Sequence, residues 1–123
     1  MKALIVDDSR AMRLVIARLL QHHDFTIVEV SNGREALDVM ERSGAFDLAL
    51  VDWNMPVMDG LEFVLKVRAD ERFDAMAIMM VTTESESKQV ERAISAGASE
   101  YLMKPFSPEA FAEKLVNLGL AAA

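Results

Sequence analysis

Residues 3–20 read Ala3-Leu4-Ile5-Val6-Asp7-Asp8-Ser9-Arg10-Ala11-Met12-Arg13-Leu14-Val15-Ile16-Ala17-Arg18-Leu19-Leu20, and a short break leads to Thr26-Ile27-Val28-Glu29-Val30. The first four residues are continuously apolar, as expected of a strand covered on both faces. Asp7-Asp8 closes that run, and Ser9 is available to cap a helix whose apolar stripe is Met12, Val15, Ile16, Leu19 and Leu20. Thr26 to Val30 is a second short apolar run. Strand, helix and strand in this order form a unit whose strands pair in parallel.

The same alternation continues outward. Apolar runs recur at Leu48 to Val51, Ala77 to Val81 and Tyr101 to Met103. Asn32 with Glu35 reads as a capping-box variant opening a helix through Ala36, Leu37 and Met40. Leu61, Val64, Leu65 and Val67 make a third helix after the turn at Asp59-Gly60. Val90, Ala93 and Ile94 make a fourth, closed by Gly97, and Ser107-Pro108 starts a fifth through Phe111, Leu115 and Leu118. Strict alternation of strand and helix implies an α/β fold, a doubly wound parallel sheet with helices on both faces.

The chain has 123 residues, enough for one domain with one core. Thirteen Lys and Arg against twenty Asp and Glu leave a net charge of −7, which argues against nucleic-acid phosphates as a direct partner. The absence of cysteine removes disulfides, thiolate zinc and a catalytic thiol. The first apolar run is too short for a signal-peptide core or a membrane span, so a cytoplasmic protein with no membrane partner is expected. The nine methionines and Trp53 read as packing residues. His22-His23 ends the first helix, where imidazole suits the helix dipole.

In a sheet of this kind, ligands bind beyond the carboxyl ends of the strands. Strand one ends in Asp7-Asp8, strand three in Asp52, strand four in Thr82 and strand five in Lys104. Strand ends commonly meet water, and any one of these aspartates alone is most simply a solvated surface charge. Three acids, a hydroxyl and an amine on one edge are much harder to place there by chance. Like charges in one pocket repel unless a cation neutralises them, and a small oxygen-only set favours Mg²⁺. Three carboxylates, one ammonium and Mg²⁺ would balance, in a site suited to a phosphoryl group.

These residues and their spacing resemble the response-regulator receiver domain, in particular its stand-alone chemotaxis type. The matching stretches are Val6-Asp7-Asp8-Ser9, Asp52-Trp53-Asn54-Met55-Pro56, Met58-Asp59-Gly60, Val81-Thr82, Gly97-Ala98-Ser99, Tyr101 and Lys104-Pro105-Phe106, together covering nearly the whole chain. The resemblance implies a five-stranded sheet of flavodoxin-like order 2-1-3-4-5 with five helices. It implies a single receiver domain over residues 1–123 with no effector domain.

The resemblance also implies roles. Asp52 would accept a phosphoryl group from a sensor histidine kinase, and Mg²⁺ would be held by Asp7, Asp8, Asp52 and the backbone carbonyl of Asn54. Lys104 would pair with the phosphoryl oxygens, next to a cis Lys104-Pro105 bond. Thr82 would be the switch hydroxyl, and Tyr101 the ring that moves between exposed and buried positions. Output would leave through the fourth helix, fifth strand and fifth helix, roughly residues 90–114, to a partner such as the flagellar motor switch. Such a protein is a phosphorylation-activated regulator of a two-component system, expected to be a monomer, and catalyses only its own phosphotransfer and autodephosphorylation.

Three positions tune rates in the family: Asn54, Thr83 and Glu84. Thr83 departs from the usual Ala or Gly, and its branched side chain is expected to narrow access to Asp52. Glu84-Ser85-Glu86-Ser87-Lys88 is more acidic than the lysine-rich start of the motor-binding proteins. An alternative within the family is a non-chemotaxis receiver acting as relay or phosphate sink. A haloacid-dehalogenase-type phosphatase needs a second aspartate where this chain has Asn54. A calcium loop starting at Asp52 fails at Pro56 and Val57, and a flavin module would find its phosphate repelled by Asp7-Asp8.

Overall fold

The computed structural model describes residues 1–83 and 88–122. The strands are β1 (Lys2–Val6), β2 (Thr26–Val30), β3 (Leu48–Asp52), β4 (Ala77–Thr82) and β5 (Glu100–Met103). Between and after them run α1 (Arg10–Gln21), α2 (Gly33–Ser43), α3 (Gly60–Arg68), α4 (Val90–Ala96) and α5 (Pro108–Asn117). All pairings are parallel, in the order β2-β1-β3-β4-β5. The chain reverses its direction of growth across β1 and β3, which opens a crevice at their carboxyl ends.

Alternate residues of each strand serve opposite faces. Leu4, Val6, Ala49, Val51, Ile78 and Met80 pack with Ala36, Met40, Phe63, Val64, Val67 and Ala93, so α2, α3 and α4 cover one face. Ala3, Ile5, Leu48, Leu50, Met79 and Val81 pack with Ile16, Leu20, Phe111 and Leu115, so α1 and α5 cover the other. Trp53 and Met40, Met58, Met76, Met79 and Met80 are buried as packing residues, but Met12 and Met55 are half-buried and Met1 and Met103, at the chain start and on the edge strand β5, are exposed.

The helix starts follow local chemistry. Ser9, Asn32, Asp59 and Ser107 each accept a hydrogen bond from the backbone N–H three residues on. The box at α2 is displaced by one residue: the Glu35 side chain accepts from the N–H and hydroxyl of Ser31 rather than from Asn32. Those two bonds hold its carboxyl below the usual pKa range. Arg72 lies between Asp70 and Glu41 and lowers the pKa of both, but these are exposed pairs and worth little to stability.

Three apolar positions read as core are outside it. Val15, Leu65 and Ile94 are exposed, while their chain neighbours Ile16, Val64 and Ala93 are buried. A helix lying on a sheet buries a narrower stripe than an apolar i, i+3, i+4 pattern suggests. No helix among the described residues is long and apolar enough to cross a membrane.

Candidate functional site

The register brings the acids together. Val6, the last residue of β1, is paired with Val51, so Asp7, the next residue of the chain, comes beside Asp52. One carboxylate oxygen from each of Asp7, Asp8 and Asp52 falls within 4.8 Å of the others. Asp7 is 1% exposed and Asp52 7%, whereas Asp8 is open to solvent. From β5, the Lys104 ammonium lies 3.3 Å from Asp52 Oδ1 and 3.7 Å from Asp7 Oδ2. The Lys104-Pro105 peptide is cis, and the Lys104 N–H donates to the Thr82 carbonyl at 2.6 Å.

Two buried polar atoms at this edge have no hydrogen-bond partner: Asp7 Oδ2 and Thr82 Oγ1. Buried polar atoms are rarely left so without a functional reason. One ammonium cannot neutralise three carboxylates, and all the acidic donors are oxygen, so the set fits a hard divalent cation that keeps several of its waters. Asn54, whose backbone carbonyl was expected to join the ligands, is exposed on the loop after β3.

That loop is tightly tied. The Met58 N–H donates to the Pro56 carbonyl at 2.7 Å around Val57 at φ 69°, a strained γ-turn for a β-branched residue. Burial of Met58 and capping by Asp59 hold the turn in place. The Gly60 N–H then reaches back to the Trp53 carbonyl at 2.9 Å, while the Trp53 N–H donates to Asp52 Oδ1 at 2.9 Å.

Comparison with known proteins decides the family. The response regulator receiver domain matches residues 3–116. The chain belongs to the response-regulator receiver family. A chemotaxis protein CheY homolog of Campylobacter jejuni is 44% identical over 120 residues, covering 96% of this chain and 92% of that protein. Chemotaxis protein CheY1 of Helicobacter pylori is 41% identical over 116 residues, covering 94% of each. Among solved structures, Vibrio cholerae chemotaxis protein CheY4 superposes with a TM-score of 0.86 at 36% identity, covering 95% of this chain and 97% of that one. The receiver domain of a Pseudomonas aeruginosa sensor histidine kinase, solved with magnesium coordinated in its active-site cleft, superposes at 0.84 with 28% identity, covering 96% and 97%.

In this receiver, Thr82 is fully buried and Thr83, next in the chain, is half-buried. Glu84, expected to tune rates, lies outside the described residues, as does most of the acidic stretch Glu84 to Lys88. Tyr101 is 37% exposed on the outer side of β5. A clasp that the sequence did not reveal holds it there. Glu100 Oε1 accepts from the Tyr101 N–H at 3.0 Å and from the Lys114 ammonium at 3.1 Å, and that ammonium lies 4.6 Å from the centroid of the Tyr101 ring.

Arg13 and Arg68 were also missed. Arg13 reaches the Asp7 carbonyl, and Arg68 ties α3 to the loop between α4 and β5. Arg13 reaches a carbonyl six residues back and Arg68 one 29 residues on, contacts between elements that no local pattern announces.

Proposed function

We propose that this receiver accepts a phosphoryl group on Asp52 from a sensor histidine kinase and signals through α4, β5 and α5 to an output protein in chemotaxis, the flagellar motor switch being the partner its relatives suggest. The observation that carries the proposal is the convergence of Asp7, Asp8 and Asp52 within 4.8 Å, with the Lys104 ammonium against two of them. Resemblance to a stand-alone chemotaxis protein over nearly its whole length favours this pathway above a relay or phosphate sink.

An Asp52 carboxylate oxygen attacks the phosphorus of a phosphohistidine. The O–P bond forms as the N–P bond breaks, and the departing imidazole takes up a proton. Asp7, Asp8, Asp52 and the Asn54 carbonyl would hold Mg²⁺, which supplies positive charge against the phosphoryl oxygens. Lys104 offers a compact point charge to the same oxygens. Thr82 Oγ1, buried without a partner, gains a charge-assisted hydrogen bond by moving toward the new group. That movement vacates space for the Tyr101 ring, coupling the pocket to the surface where Lys114 and Glu100 hold the ring.

The test is intact mass after incubation with Mg²⁺ and a small phosphodonor. One added phosphoryl group is expected, lost on chelation and in Asp52→Asn; a mass unchanged under all conditions would overturn the proposal. Thr83 supplies a second prediction. Removing its branch in Thr83→Ala should speed phosphorylation by small donors about threefold, roughly 0.7 kcal/mol of barrier. An unchanged rate would remove Thr83 from any part in access.

A further inference from the structure

We infer that Arg13 is a positioning residue that sets how tightly the Asp7–Asp8 pair holds a divalent cation, an inference resting on the reading of the pocket as a cation site. Asp7 is fixed at three atoms. Its N–H donates to the Val30 carbonyl at 3.2 Å, Oδ1 accepts from the Ser9 N–H at 2.8 Å, and its carbonyl oxygen accepts from Arg13 Nη1 at 2.7 Å. What remains is Oδ2, buried and without a hydrogen bond. The first two bonds aim that oxygen; the third does something different.

The Asp7 carbonyl and the Asp8 N–H belong to one planar peptide unit. A short charge-assisted bond to that oxygen fixes the plane from which Asp8 departs. Asp8 is exposed and has few contacts of its own, so the anchored peptide is its firmest tie to Asp7. Arg13 therefore anchors the peptide that joins the two carboxylate-bearing residues.

Arg13 is itself well anchored. Its side chain is only 18% exposed, its Nε lies 3.3 Å from Glu29 Oε1 on β2, and its N–H donates to the Ser9 carbonyl at 3.0 Å. Helical side chains lean toward the helix N-terminus, which carries the guanidinium back over the end of β1. The simpler alternative is a staple between α1 and β2, with Glu29 as its object. A partly exposed ion pair is worth little on its own, however, and the shorter bond is the one to Asp7.

The sign of the effect separates the possibilities. Arg13 is a cation beside a cation site, so Coulomb repulsion alone makes its removal tighten metal binding. A staple leaves affinity unchanged, and a positioning residue makes its loss weaken binding. Mg²⁺ and Mn²⁺ affinities are to be measured without any phosphodonor, by calorimetry and by Trp53 fluorescence. Trp53 is the one tryptophan of the chain, next to Asp52, and its backbone N–H donates to Asp52 Oδ1.

Arg13→Gln is expected to weaken binding about tenfold, the usual effect of losing a partner behind a metal ligand. Arg13→Lys keeps the charge but not the fork, and is expected to weaken it less while remaining folded. Glu29→Gln should stay within about twofold of the parent, since it leaves the Asp7 contact in place. Unchanged or tighter binding in both Arg13 variants would overturn the inference, as would a loss in Glu29→Gln as large as in Arg13→Gln. A parent protein that binds neither cation would instead remove the cation-site reading and this inference with it.

Discussion

Arg68→Met is expected to lower the melting temperature by about 10 °C, the larger of two structural effects foreseen for this chain. The guanidinium at the end of α3 donates to five acceptors. Nε reaches the Gly97 carbonyl at 2.8 Å; Nη1 reaches those of Phe73 at 3.1 Å and Asp74 at 3.4 Å; Nη2 reaches the Met76 carbonyl at 2.8 Å and Ser99 Oγ at 3.3 Å. Burial lowers the pKa of the group, and it remains charged. Methionine keeps the apolar stem but takes the guanidinium from the partly buried Gly97 and Met76 carbonyls, while the Phe73 carbonyl keeps the Met76 N–H, at a cost of about 3 kcal/mol in total. Water can replace the contact at Asp74, which is exposed, more easily than those at Met76 and Gly97.

Lysine in place of Arg68 should recover only part of the loss, because one ammonium cannot reach acceptors spread over residues 73–76 and 97–99. Gly97 shows how closely the clamp fits. It is at φ 120°, and a Cβ there would lie 2.5 Å from Arg68 Cγ. A scanning-calorimetry shift below about 3 °C for Arg68→Met would contradict this view of the junction between α4 and β5.

Gly60→Ala should damage stability and phosphorylation together. A Cβ at this position would stand 2.5 Å from the Asp52 backbone carbonyl oxygen, 2.9 Å from Met80 Cε and 3.1 Å from Trp53 Cα. The methionine methyl can swing aside, but the two backbone atoms belong to the last residue of β3 and the one after it. The start of α3 must therefore move away from Asp52, costing about 1–3 kcal/mol. Because the displaced strand end carries the acceptor, phosphorylation by a small donor should slow about tenfold or more.

Gly44→Ala is the matched comparison. Nothing lies within 4 Å of its Cβ, although its φ of 80° imposes strain. A loss of about 1–2 kcal/mol with an unchanged phosphorylation rate is expected there. Equal kinetic losses at both glycines would show that stability alone, not the position of Asp52, controls the rate.

The central strands β1, β3 and β4 were legible because they are covered on both faces. A run such as Leu48 to Val51 has no polar option, and its end at Asp52 marks where the chain meets the pocket. Parallel order then carries Asp7, Asp52, Thr82 and Lys104 to one edge without further information. Caps such as Ser9 and Ser107 were legible because their bonds span three residues.

What escaped the sequence depends on long reach or on the width of a buried stripe. Val15 and Ile16 are both apolar, and only the way α1 is seated on the sheet decides that Ile16 is buried while Val15 faces water. Arg13, Arg68 and Lys114 each find partners on other elements, and the four or more rotatable bonds of such a side chain carry no trace of where it will dock. Thr82 was recognisable as a strand-end hydroxyl. That its oxygen is sealed without a partner follows only from three-dimensional packing.

The central claim, that Asp52 and not its neighbours receives the phosphoryl group, is tested most directly by trapping. Borohydride reduces an acyl phosphate at an aspartate to homoserine, leaving free carboxylates untouched. After phosphorylation with Mg²⁺ and a small donor, peptide mass spectrometry should place a single homoserine at residue 52. Homoserine at Asp7 or Asp8 with residue 52 unmodified would contradict the assignment.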